Sequence, residues 1–182
     1  MNIASDLFFS QQIISILFLV TNKLQMQGDK HLKDITIRQM LALPALFHAP
    51  DGKATINHIA RQIGTTKQSA KQIVNAMKKK NYLSVTPSEQ DKRAVNVAIT
   101  EEGRLAFSKC SNRTDEFLAN LFNNFSSNEL EKLCSLLQKL YNFDGIEKKN
   151  KDEQTAHNAK ESAEILQHHK IFAKLRETKY RK

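Results

Sequence analysis

The chain has no tryptophan, three prolines, five glycines and two cysteines in 182 residues, and each scarcity removes a class of protein. Cys110 and Cys134 lie far apart and in no metal-type repeat, so neither a disulfide framework nor a zinc module is expected, and a reducing cytoplasm is. So few glycines leave no phosphate-cradling loop. No nucleophile-base arrangement or paired-carboxylate set stands out, so the expectation is a non-enzymatic protein without a cofactor. Among the histidines, His31, His48 and His58 could approach one another and His168-His169 form a pair near the C-terminus. None has the i, i+4 or cysteine-assisted spacing of a metal site, so no metal is expected. The apolar run Ile13 to Val20 is interrupted by Ser15, and no Lys or Arg precedes Lys23. A secretory leader needs a basic start, and a membrane span needs about 20 apolar residues, so the reading is a cytoplasmic protein with no membrane partner.

Positive charge is present in excess, with 28 Lys and Arg against 19 Asp and Glu, and it is unevenly placed. From Arg61 to Arg104 there are 9 basic and 4 acidic residues, and from Gly145 to Lys182 there are 10 and 6, while the remainder is neutral. Two basic segments on an otherwise balanced chain suit a polyanion, with phosphate the first candidate.

Ser5-Asp6 can cap a first helix that ends near Gly28-Asp29. Its apolar residues, from Leu7, Phe8 and Phe9 to Ile13, Phe18 and Val20, cover more than one face, so burial on several sides is expected, a partner subunit being the natural cover. Thr36-Ile-Arg-Gln39 has capping-box spacing and opens a helix to about His48, kinked at Pro44. Thr55 caps a short helix that stops at Gly64. Thr65 or Thr66 caps a longer one with Ala70, Ile73, Val74 and Met77 inward, ending at Asn81 in a left-handed conformation. Small residue, glycine turn and apolar return form a helix-turn-helix pattern. Tyr82 to Thr86 and Ala94 to Ile99 alternate around a polar turn and read as a β-hairpin wing. Thr100 caps a long helix to about Asn124, and Ser127-Asn-Glu-Leu130 opens the last one, both richer in Leu and Phe than a small lobe can cover. The segment after Gly145 reads as a solvated linker and a weak helix carrying Ala163, Leu166, Ile171, Phe172 and Leu175.

The stretch Gln68-Ser-Ala-Lys-Gln-Ile-Val-Asn-Ala-Met-Lys-Lys-Lys-Asn-Tyr-Leu83, the wing Asp91-Lys-Arg93 and the following Ile99-Thr-Glu-Glu-Gly103 resemble the MarR (multiple antibiotic resistance regulator) family of bacterial winged-helix transcription factors. The likeness runs from about Asp6 to Phe143. Asp91, Arg93, Thr100 and Gly103 match the family's wing pattern, Lys92 and Ile99 are mild substitutions, and Asn81 and Pro44 depart from it. The resemblance implies an obligate homodimer with interleaved terminal helices, whose two lobes read a near-palindromic operator. It also implies repression released by a small molecule, thiol oxidation or metal.

The expected architecture is therefore mainly α: a winged helix-turn-helix lobe with a small β-hairpin wing, and N- and C-terminal helices forming a homodimer interface. Its parts are residues 1–34 for dimerisation, 35–103 for DNA binding, 104–144 for further dimerisation and 145–182 as a basic, partly disordered or helical tail. Thr66, Lys67, Gln68, Ser69, Lys71, Gln72 and Asn75 form the candidate reading face, since Gln and Asn pair with adenine edges while Lys, Ser and Thr serve guanine or phosphate. A merely solvated helix face is the plain alternative. Lys78-Lys79-Lys80 would add to the positive field or simply complement a helix C-terminus. By the resemblance, Lys92 and Arg93 meet the flanking minor groove, with Asp91 holding the arginine. Leu43, Phe47 and Phe107, beside the Pro44 kink, are the candidate pocket for a small-molecule effector. Cys110 and Cys134 read as buried small hydrophobes. Two other readings keep the fold: a protein-interaction adaptor using the basic tail, and a thiol or metal sensor.

Overall fold

The computed structural model describes residues 3–47, 49–88, 94–144, 170 and 172–175. The chain forms two compact units, Met1–Cys110 and Ser111–Lys182.

The first unit opens with α1 (Ile3–Leu32), which passes the expected stop at Gly28 and ends where Lys33 takes φ 63°. Gly28 is buried inside the helix, and the Asp29 carboxylate accepts the Ile37 N–H at 2.7 Å, so this pair ties the end of α1 to the next element. Of the residues of α1, only Gly28 and Leu32 are buried. Leu7, Phe8, Phe9, Ile13, Ile14 and Phe18, for which burial on several sides is expected, are all exposed. An 18-residue window of α1 reaches a mean hydropathy of 1.7, which makes the helix long and apolar enough to cross a membrane by length and composition. An unbroken run of about 20 apolar residues is the stricter criterion, and mean hydropathy is a less strict one that α1 does meet. The polar Ser10, Gln11, Gln12 and Ser15 interrupt the run without outweighing it.

Thr36 caps α2 (Ile37–Leu41) through the reciprocal box, its hydroxyl accepting from Gln39 N while Gln39 Oε1 accepts from Thr36 N. The single kinked helix expected here is two, α2 and α3 (Leu43–Phe47), separated at Ala42. The break resolves the Pro44 problem, because a proline in the first turn of a helix loses no ladder bond. After a 3-10 turn at Pro50–Gly52 come β1 (Ala54–Thr55), α4 (Ile56–Gln62, capped by Thr55) and α5 (Lys67–Lys79, capped by Thr66). Gly64 and Asn81 both have positive φ, 63° and 61°, as their positions after helix ends require.

Strands β2 (Leu83–Pro87) and β3 (Val95–Ile99) pair antiparallel, with Val85 opposite Val97. The hairpin is the expected wing. A third strand was not expected: β1 pairs β3 through Ala54 opposite Val97, giving the order β1-β3-β2. Ile35, Leu46, Ile59, Ala70, Val74, Met77, Leu83 and Val97 fill the core together with Phe107 and Cys110 from α6 (Glu101–Leu121). Cys110 is buried as expected, its thiol 3.8 Å from the Leu32 carbonyl oxygen.

In the second unit, Phe122 and Phe125 meet edge to face at 5.8 Å between ring centroids. Ser126 then caps α7 (Ser127–Tyr141) in a second capping box with Glu129. No residue of α7 is buried, and Leu136, Leu137, Leu140 and Tyr141 are exposed. Cys134 is exposed with them, which corrects the expectation of a buried thiol: an apolar repeat buries a residue only when something covers that face. Of the tail, Lys170 and residues 172–175 are helical, and the rest of the expected linker and helix lies outside the described residues.

Candidate nucleic-acid interface

Helix α5 separates its residues cleanly by face. Ala70, Val74 and Met77 are buried, whereas Lys67, Gln68, Lys71, Gln72 and Asn75 are exposed and follow one another at helical spacing. The inner three anchor the helix in the core and the outer five form a continuous polar strip. Among the described residues none of the five has a side-chain partner, so amides and ammonium groups are free to meet base edges and phosphates. No carboxylate lies anywhere in α5.

The start of the helix is more tightly organised than the sequence suggested. Thr66, expected as a contact residue, is the N-cap, and its hydroxyl accepts the Ser69 N–H at 3.2 Å. Ser69, expected on the free face, is half-buried and bonded from outside α5: Arg38 Nη2 donates to Ser69 Oγ at 3.2 Å and to Thr65 Oγ1 at 3.1 Å. Arg38 is on α2 and formed no part of the expected site. The distance along the chain, |i−j| of 27 and 31, hid the pairing, because no local spacing reports it.

The far end is also fixed. Lys80 Nζ donates to the Asp34 carbonyl at 2.6 Å and lies 5.9 Å from the Tyr82 ring centroid. Of the lysine run expected to supply a diffuse field, Lys80 therefore braces the C-terminus of α5 against the segment after α1. Lys78 and Lys79 are exposed.

The Thr-Glu-Glu-Gly motif joins helix, wing and α6. The Thr100 hydroxyl donates to the Asn81 carbonyl at 2.6 Å and accepts the Gly103 N–H at 3.0 Å, while Thr100 N donates to the Tyr82 carbonyl at 3.1 Å. A Cβ on Gly103 would collide with that same Tyr82 carbonyl oxygen. The wing is described up to Ser88, whose N–H donates to the Ala94 carbonyl at 3.1 Å. Asp91, Lys92 and Arg93 at its tip lie outside the described residues.

The three candidate effector residues divide. Leu43 and Phe107 are buried in the core, Phe107 lying 6.4 Å from the Tyr82 ring centroid. Phe47 is exposed, with the Arg104 guanidinium 5.8 Å from its ring centroid. Among the described residues, no three His, Cys, Asp or Glu side chains converge on a point that could hold a metal ion; His48 lies outside them.

A trihelical core, a helix whose polar face points outward, and a three-stranded antiparallel wing together define a winged helix-turn-helix protein. Residues 33–94 match the model of the MarR family, and the fold is that of solved MarR-family regulators. A MarR variant from E. coli complexed with operator DNA superposes with a TM-score of 0.64 at 19% identity, covering 77% of this chain and 99% of that one. The S. aureus MepR-DNA complex gives a TM-score of 0.62 at 23% identity, covering 70% and 94%. Bordetella bronchiseptica BpsR, whose DNA binding is regulated by 6-hydroxynicotinic acid, gives 0.65 at 18% identity, covering 73% and 95%. No relative was found among curated protein sequences.

Proposed function

We propose that this chain is a sequence-specific, non-enzymatic transcriptional regulator that binds duplex DNA in the cytoplasm as a homodimer on a pseudo-palindromic operator. The observation that carries the reading is the outer face of α5, where Lys67, Gln68, Lys71, Gln72 and Asn75 are exposed on a helix anchored by Ala70, Val74 and Met77. In this reading α5 enters the major groove, Gln68, Gln72 and Lys67 contact base edges, and Arg93 with Lys92 reaches the flanking minor groove while Asp91 steadies the arginine. Phosphate neutralisation supplies most of the affinity and makes it salt-dependent.

The uncovered apolar surfaces of α1 and α7 support the homodimer, since exposed patches of this kind mark interaction surfaces. Regulation of DNA binding by a small molecule, as in BpsR, supports an effector-responsive repressor here, with Leu43, Phe47 and Phe107 marking the region where an effector would alter packing. Such a ligand acts by preferring a lobe spacing that cannot engage DNA.

The test is fluorescence anisotropy with a duplex from the protein's own upstream region and a scrambled duplex, across a salt series. The expected outcome is saturable preference for the native duplex. Gln72→Ala should lower discrimination by about 1–3 kcal/mol at the position it reads, and Arg93→Ala should weaken binding where the minor groove is narrow. Equal, weak, salt-sensitive binding to both duplexes would reject sequence-specific recognition.

A further inference from the structure

We propose that Arg38, on α2 and outside the helix-turn-helix, grips a DNA phosphate beside the start of the recognition helix, an inference that rests on the DNA-binding reading above. Its guanidinium is fastened to the end of α5 that would lead into the groove: Nη2 donates to the hydroxyls of Thr65 and Ser69, the residues on either side of the Thr66 cap. Those two bonds use the two hydrogens of one nitrogen. Nη1 and Nε keep their three N–H donors, and among the described residues nothing accepts from them.

The charge is left as open as the donors. Arg38 is exposed, and among the described residues no carboxylate pairs with it, so its only partners are neutral hydroxyls. Hydroxyls orient a guanidinium without neutralising it. Lys67 adds a second cation in the first turn of α5, where the helix dipole is also positive and an acidic residue would be the stabilising choice. A DNA backbone phosphate fits both the fork geometry of the three open donors and their location beside the first turn of α5.

The arrangement also prepays part of the ordering. An exposed arginine normally loses rotamer freedom when it meets a phosphate, whereas this one is already held. The Ser69 hydroxyl then acts as a platform for Arg38 as much as a contact of its own.

The experiment compares wild type, Arg38→Gln and Arg38→Lys by anisotropy on the native and scrambled duplexes across a salt series, with thermal melting of each protein. Gln retains a donor for the hydroxyls but has no charge; Lys restores the charge. For Arg38→Gln the slope of log affinity against log salt should become shallower by about 0.9 per Arg38 engaged, with a loss of about fivefold per contact at physiological salt on both duplexes alike. Arg38→Lys should recover the slope. A purely structural strut would move the melting temperature and leave the slope alone. If Arg38→Gln keeps the wild-type slope while wild type still prefers the native duplex, the phosphate grip is overturned and the DNA-binding reading stands. If wild type shows no preference for the native duplex, the sequence-specific reading falls, and Arg38 as part of such an interface falls with it.

Discussion

Thr100 makes two hydrogen bonds with one hydroxyl, to Asn81 and from Gly103, and it is the side chain through which the end of α5, the wing and α6 meet. Thr100→Val keeps the shape and removes both bonds, so it should cost about 1–2 kcal/mol, combining a lost cap with a lost bond to a carbonyl. Gly103→Ala fails for a steric reason, since the added methyl meets the Tyr82 backbone, which cannot swing aside as a side chain could. An overpacking cost of about 1–3 kcal/mol follows. Urea unfolding of both variants checks the pair, and an unchanged midpoint for Gly103→Ala would show that the backbone there yields. These two residues were legible in the sequence as a motif. The contacts of Arg38 and Lys80 were not, because each bonds to a group that is distant along the chain and adjacent only after folding.

At the scale of elements, the caps carried most of the readable information. Thr36, Thr55 and Thr66 each bond the backbone N–H three residues on, which is a local geometry that a spacing pattern can reveal. Strand β1 could not be read that way: two residues show no alternation, and Ala54 and Thr55 become a strand only because β3 lies alongside. The end of α1 was misplaced for a related reason. A glycine near a helix end suggests a stop, yet Gly28 is a buried helical residue and the left-handed turn falls at Lys33. Helix α7 offers a pH test. Glu129 accepts from Ser126 N at 2.8 Å and from Ser126 Oγ at 2.7 Å, and these bonds hold its carboxyl below the ordinary value of 4.5, the backbone bond contributing most. A depressed carboxylate stabilises the fold at pH values above its unfolded pKa, and the contribution disappears as pH falls through the folded value. Helicity should therefore decline on acidification below the ordinary carboxylate range. Glu129→Gln should flatten that part of the profile in a circular dichroism titration, and an identical profile would place the acid sensitivity elsewhere.

At the scale of the whole molecule, the apolar side chains of α1 are the largest exposed apolar group among the described residues. Phe8, Phe9 and Phe18 are more than half exposed, at 55%, 59% and 70%. If a second copy covers them, Ile13→Glu with Phe18→Glu should convert a dimer to a monomer in analytical ultracentrifugation and weaken operator binding together with it. Retention of the dimer would move the interface away from this face of α1. The sequence revealed that α1 is too apolar for one chain to cover, but periodicity gives only the width of an apolar surface and is silent on what lies against it.

The Thr100 junction also constrains how the winged unit comes apart. Because the Asn81 carbonyl, the Tyr82 backbone and the Gly103 amide share one small cluster, the end of α5, the base of β2 and the first turn of α6 cannot loosen one at a time. In amide hydrogen exchange the Gly103 and Thr100 protons should disappear at a common rate with those of Tyr82 and its neighbours, marking a single opening unit that spans three elements of different kinds.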